Sequence, residues 1–188
     1  MNSWNLPTSV HVTGVDWDIN TDFRVVLDVL AAYNNEEYDK EDKHLYLLIA
    51  MIKDFDNMDE SDYEEATKKL IQFIDMGIED DIKKPKPRLM DWEQDAAMIV
   101  PAVNKVLGKE IRAEKYVHWW SFMAAYMEIG ECSFSHILNI RTKQAKHKKL
   151  EKWELEFIRE NENVVNLKKK MTERDKEEQK ALDDLLGR

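Results

Sequence analysis

The chain has 188 residues, 43% hydrophobic and 35% charged, with a formal net charge of −10; that is apolar content for one sizeable core. Five glycines and four prolines are too few for a many-stranded β architecture, so the predicted class is mostly α. The charge is uneven: from Arg141 onward 14 basic residues against 11 acidic leave about +3, so the first 140 carry about −13, a body that repels nucleic acid at a distance.

Residues 10–19, VHVTGVDWDI, alternate apolar and polar on each side of Gly14. Two short strands joined near Thr13-Gly14 are predicted, with Val10, Val12, Val15, Trp17 and Ile19 facing one way. Such a hairpin is marginal alone and must pack on helices. Thr21-Asp22 opens a helix that turns Phe23, Val26, Leu27 and Leu30 inward and ends near Asn34-Asn35. A second, from about residue 42 to 53, uses Leu45, Leu48, Ile49 and Ile52. Ser61-Asp62-Tyr63-Glu64 has the form of a capping box; the third helix carries Ala66, Leu70, Phe73 and Ile74 and stops with Gly77 at C′.

Lys83-Lys84-Pro85-Lys86-Pro87-Arg88 reads as an extended linker, because two prolines forbid a helix there. Asp91, with Gln94 three residues on, restarts a helix striped by Trp92, Ala96, Ile99, Val103 and Val106 and closed by Gly108, with a kink or break expected at Pro101. Residues 114–129, EKYVHWWSFMAAYMEI, are apolar around most of the circumference and are predicted as a central helix stopped by Gly130. Ser133 or Ser135 caps the next, with Phe134, Ile137, Leu138 and Ile140. Beyond Arg141 nothing breaks a long charged helix before Gly187, and few apolar residues support one. The organisation expected is a compact helical domain with an N-terminal hairpin, 1–141, and a charged helical extension, 142–188.

Catalytic signatures are missing. Serine is scarce, and G-x-S-x-G, phosphate-cradling G-x-x-x-x-G-K and G-x-G-x-x-G all need glycines this chain lacks. Cys132 and His136 lie four apart, but zinc needs further ligands and no H-E-x-x-H occurs. Asp54, Asp56 and Glu60 lack the glycine and bidentate glutamate of a calcium loop, and Glu79-Asp80-Asp81 reads as a solvated acidic loop. No catalytic residue, metal site or cofactor is therefore expected. The residues 1–12 lack a secretory pattern, and no apolar run approaches a membrane span, so a cytosolic protein is expected. Interspersed acids weaken the basic clusters 146–152 and 168–170 as a nucleic-acid footprint.

Candidate surfaces for partners remain. His118-Trp119-Trp120 sets aromatic bulk at successive helix positions about 100° apart, so all three cannot face one core. Either that helix is buried on several sides, or one tryptophan lines a groove that accepts a partner's side chain. The sparse apolar seam of the C-terminal stretch suits pairing with another helix or a solvated appendage equally.

The order of motifs resembles the phage family named after gene product fifteen, found in siphophages of Gram-positive bacteria. The likeness is carried by Leu6-Pro7-x-x-Val10 through Gly14 with Asp18-Ile19-Asn20-Thr21-Asp22-Phe23-Arg24, and by Leu45-Tyr46-Leu47-Leu48 followed by Phe73-Ile74-x-x-Gly77. Asp91-Trp92-Glu93-Gln94-Asp95-Ala96 and His118-Trp119-Trp120-x-Phe122 running to Arg141 complete it, over about residues 5 to 141. The resemblance implies a tail assembly chaperone, active in the host cytoplasm and absent from the mature virion. Its partners would be the tape measure protein and the tail tube protein, with self-association open and neither nucleic acid nor membrane involved. A groove lined by Trp119, Trp120, Phe122, Tyr126 and Arg141 is the candidate contact. A structural tail protein kept in the virion and a nucleic-acid-binding regulator stay as alternatives.

Overall fold

The computed structural model describes residues 4–78 and 87–168; Glu79-Asp80-Asp81, the first four residues of the basic linker and the stretch 169–188 lie outside the described residues. β1 (Ser9–Val12) pairs antiparallel with β2 (Val15–Asp18), Val10 opposite Trp17 and Val12 opposite Val15, as the alternation predicts. Thr13 and Gly14 join them with φ of 46° and 88°, a two-residue turn whose twist matches that of the strands. Val10, Val12 and Ile19 are buried, but Val15 is half exposed. The helix that covers the hairpin lies against β1, which leaves β2 on the outside.

α1 (Phe23–Tyr33) starts where predicted, capped by Asp22, whose carboxylate accepts the Arg24 N–H at 2.9 Å. Phe23, Val26, Val29 and Ala32 are buried, and Leu27 and Leu30 are only partly covered. α2 (Lys40–Met51) begins two residues early, capped by Asp39. It buries Leu47, Leu48 and Met51, whereas Leu45 and Ile49 face outward, opposite to expectation. The anchor at its end decides the rotation: Ile52 bridges Ile19, and the Lys53 N–H donates to the Asp18 carbonyl.

Two 3-10 turns, Phe55–Asn57 and Glu60–Asp62, lead into α3 (Tyr63–Ile74). The predicted capping box does not form. Ser61 belongs to the second turn, and Glu64 pairs instead with Lys68, one helical turn on, at 2.6 Å. At the other end the left-handed C′ residue is Met76 (φ 55°), with Gly77 one place beyond. Their N–H groups return to the Phe73 and Gln72 carbonyls at 3.0 and 2.7 Å, a Schellman closure.

α4 (Ala96–Leu107) starts five residues after Asp91 and passes Pro101 unbroken. Pro101 and Ala97, whose carbonyl the proline cannot serve, are both exposed, so water can satisfy that oxygen. The expected helix over 114–129 is shorter. A 3-10 turn, Ile111–Ala113, and an extended stretch precede α5 (Trp119–Met127). That stretch runs along the start of α1: Phe23 N–H donates to the Val117 carbonyl at 2.9 Å and Trp119 N–H to the Thr21 carbonyl at 2.7 Å. Backbone groups that a longer helix would bond internally are thus used across the fold.

α6 (Ser133–Ala145) has Cys132 at its N-cap and Ser135 three residues on, whose Oγ accepts the Cys132 N–H at 2.9 Å. The chain does not continue as one long charged helix. α7 (Lys152–Glu160) and the single-turn α8 (Glu162–Val165) fold back onto the body, and Val165 is fully buried. The described residues are thus mostly α with one hairpin.

Thr13 is β-branched at a left-handed φ, which costs about 1–2 kcal/mol against a residue suited to it. Thr13→Asn creates the Asn-Gly pair this turn favours. It is expected to raise the urea midpoint, adding about 1 kcal/mol of stability with the slope unchanged. An unchanged or lower midpoint contradicts the turn assignment.

Candidate binding surface

His118 ends the extended stretch and caps α5. Its Nδ1 accepts the Trp120 N–H at 3.0 Å, which leaves Nε2 as the N–H that donates to the Pro7 carbonyl at 2.9 Å. The next two residues divide their work at the C-terminus of α3. Trp119 Nε1–H donates to the Ile74 carbonyl at 2.8 Å, and Trp120 Nε1–H to the Phe73 carbonyl at 2.9 Å. A helix leaves its last four carbonyls without internal partners. Here Asp75 and Gly77 serve those of Ile71 and Gln72, Met76 and Trp120 that of Phe73, and Trp119 that of Ile74. Two adjacent indoles about 100° apart can do this because the carbonyls they reach are adjacent too.

Behind them lies an aromatic block. Phe122 stacks on Phe23 at 4.7 Å and on Trp119 at 5.7 Å between ring centroids. Trp92 meets Trp119, Phe122 and Tyr126 at 6.2, 5.9 and 5.0 Å. The Tyr126 hydroxyl contacts the Met90 sulfur at 3.1 Å. Burial, with the Asp95 charge adding to it, pushes its pKa up to about 12, so it stays a phenol.

Arg141 lies at the edge of this block, 5% exposed, against Asp95, which is fully buried. The pair is bidentate: Nη1 donates to Oδ2 at 2.7 Å and Nη2 to Oδ1 at 2.9 Å. The three remaining N–H groups reach the carbonyls of Val165 at 2.7 Å, Val164 at 2.8 Å and Leu89 at 3.1 Å. All five donors of the guanidinium are used. Asp95 is presented by a tight turn in which it accepts the Asp91 N–H, while Asp91 accepts those of Glu93 and Gln94 and pairs with Arg88. Gln94, expected to complete a capping box, instead accepts the Lys168 N–H and donates to the Asn166 carbonyl, both at 2.9 Å.

Of the five residues proposed to line a groove, Trp119, Phe122 and Arg141 are therefore interior: core rings and a clamp, with no free surface. Tyr126 is half-buried among them. Trp120 is the exception. With Pro7, Val10, Phe73 and Gly77 it walls a mostly apolar hollow of about 210 Å³ between β1 and the end of α3, with Lys69, Gln72 and His11 on its sides. A sequence signal for the clamp did exist. Arg141 falls on the buried stripe of α6, seven residues after Phe134 and four after Ile137, where a charge needs a carboxylate. Among the described residues no three His, Cys, Asp or Glu side chains converge on a possible metal position, and no helix is long and apolar enough to cross a membrane.

A family model described as Bacteriophage Gp15 protein matches residues 3–184. No curated protein and no solved structure matches the chain.

The clamp yields two tests. Breaking a buried pair leaves an uncompensated charge, so Asp95→Asn is expected to cost about 3–5 kcal/mol in urea unfolding. The double change Asp95→Leu with Arg141→Met is not expected to rescue it, because three carbonyls lose their donors at about 1–3 kcal/mol each. A double variant as stable as the parent would refute that account. On α7, the Lys143 ammonium at 2.6 Å and the Glu151 N–H hold the Glu154 carboxyl below the ordinary carboxylate range. A depressed value in the folded state means that its contribution is present above about pH 4.3 and lost as pH falls further. Hydrogen exchange should show α7 amides losing protection as pH drops below about 4, a step that Glu154→Gln removes.

Proposed function

The chain belongs to the bacteriophage Gp15 protein family, and from that premise we propose that it is a tail assembly chaperone that binds the tape measure protein and promotes building of the tail tube around it. The match over residues 3–184 carries the reading. The chemistry required is modest. A tape measure is a long helical chain whose apolar stripe aggregates unless covered until the tube encloses it. Covering it reversibly calls for apolar hollows edged by polar and charged groups. The hollow beside Trp120 is of that kind: an indole edge, Phe73, Val10 and Pro7 form its walls, and Lys69 and Gln72 stand beside them. It is sized for one apolar side chain, so binding would be weak per contact and repeated along a long partner.

In this reading the protein works in the host cytoplasm and leaves before the virion is complete. Its partners are the tape measure protein and the tail tube protein, and no chemistry is asked of it beyond contact.

Co-expression with the tape measure protein of its own phage tests this. The parent chain is expected to keep that protein soluble and to co-purify with it. Gln72→Trp, which sets a ring over the hollow from the exposed side of α3, is expected to abolish co-purification while circular dichroism and thermal melting stay unchanged. A parent chain that leaves the tape measure insoluble sinks the chaperone reading; a folded Gln72→Trp that binds as before sinks the hollow alone. Mass spectrometry of purified particles is expected to find no copy of this protein, and finding it there would favour a structural tail protein.

A further inference from the structure

A row of three hollows, each sharing walls with the next, starts at α1 and ends at α8. The first, about 310 Å³, lies between α1 and α2 and is lined by Asp28, Ala31, Tyr38 and Tyr46 among others. The second, about 240 Å³, shares Asp28 and Ala31 with the first and adds Leu27 and Trp92. The third, about 630 Å³, shares Asp91 and Glu93 with the second and extends to Met98 and Val164. Sharing wall residues, the three lie side by side and trace a shallow channel from α2 across α1 to α8. With packed elements 8–10 Å apart, the path is on the order of 25 Å long, the span of a helix of about 16 residues.

Each hollow offers apolar surface: the rings of Tyr38 and Tyr46 in the first, Leu27 and Trp92 in the second, Met98 and Val164 in the third. Tyr38 and Tyr46 are about 40% exposed at one end and Val164 at the other. Between them Trp92 shows one side to the channel while its ring packs on Trp119, Phe122 and Tyr126. The rim is acidic through the first two hollows. Asp28 lines the first two hollows and Glu93 the second, both exposed, and Tyr38 is flanked in sequence by the exposed Glu36, Glu37, Asp39, Glu41 and Asp42 beside Lys40. Among the described lining residues, cations stand in the third hollow alone: Arg88, paired with Asp91, and Lys168.

From that combination we infer that the channel is a docking site for an amphipathic helix with lysine or arginine beside its apolar stripe. A floor of separated apolar patches suits side chains spaced three and four apart on a helix. A carboxylate rim selects cationic flanks and repels acidic ones. The inference goes beyond the tail reading, since nothing in it depends on which protein supplies the helix. It also concerns a different surface from the hollow at Trp120.

The test uses the full chain and two designed, fluorescently labelled peptides of about 16 residues, matched to the channel's length, identical in their leucine stripe and flanked by lysine in one and glutamate in the other. Anisotropy titration is expected to show the lysine peptide binding with Kd on the order of 10 µM and the glutamate peptide not binding, with affinity falling as salt rises. Ala31→Arg places a long cation in the middle of the channel at an exposed position of α1. It is expected to weaken the lysine peptide by at least about tenfold with an unchanged melting curve. Asp28→Lys should do the same, and Gln72→Trp at the other hollow should change nothing. Equal binding of both peptides, or parent-like affinity in folded Ala31→Arg, overturns the inference. So does a parent chain that dimerises in light scattering and becomes monomeric on Ala31→Arg, since the occupant is then a second copy. If the lysine peptide binds as expected while the tape measure fails to co-purify, the channel stands and only the chaperone reading falls.

Discussion

A buried ion pair holds the second half of this molecule together. Moving two charges out of water is expensive, and their attraction offsets the cost only when every remaining hydrogen-bonding group is satisfied. Asp95 and Arg141 meet that condition. The carboxylate takes two guanidinium N–H groups and a backbone amide, and the guanidinium spends its other three donors on main-chain carbonyls. Those carbonyls belong to Leu89, Val164 and Val165, so one side chain on α6 fixes the turn before α4 and the return of α8 at once. Replacing the pair with apolar side chains would leave three acceptors dry, and the usual advantage of a greasy isostere disappears.

The first half is joined to the second largely by side chains that bond main-chain groups across the fold. Asp22 caps α1 and also accepts the Val117 N–H, while Arg24 reaches the carbonyls of Ile111 and Glu114 from a position over the Phe23 ring. Thr21 touches the Tyr116 hydroxyl, and Asn20 bonds the Ala50 carbonyl. The stretch Asn20-Thr21-Asp22-Phe23-Arg24, one of those that carry the family likeness, is therefore a run of stitches between segments far apart in the chain. Asp91-Trp92-Glu93-Gln94-Asp95 and His118-Trp119-Trp120 are of the same kind. Most of their side chains seat helices, while Glu93 and the edges of Trp92 and Trp120 reach a surface.

That division explains how a stable core coexists with surfaces fit for partners. The tryptophans pack at their inner sides and leave a flank open, so an occupant of either hollow would touch a wall already made rigid by the core. Little ordering of the wall is then required on binding, which is the main saving a preformed site offers.

Composition and period alone determined the helical class, the hairpin with its Thr13-Gly14 turn, the Asp22 cap and the stop at Gly108, because each depends on residues close in sequence. The likeness in motif order was also legible, and it led to the family. What the sequence left open was set across distance. Which stripe of α2 faces in was decided by the Ile19–Ile52 bridge, and the start of α5 by main-chain bonds to the head of α1. Five candidate groove residues were legible as aromatic or charged, but a period does not tell a residue that lines a groove from one that fills a core. The packing placed Trp119 and Phe122 inside, turned Arg141 into a clamp and left Trp120 at the surface. The channel across α1 was invisible for the same reason: its walls come from segments brought together only by folding, and no local pattern encodes their meeting.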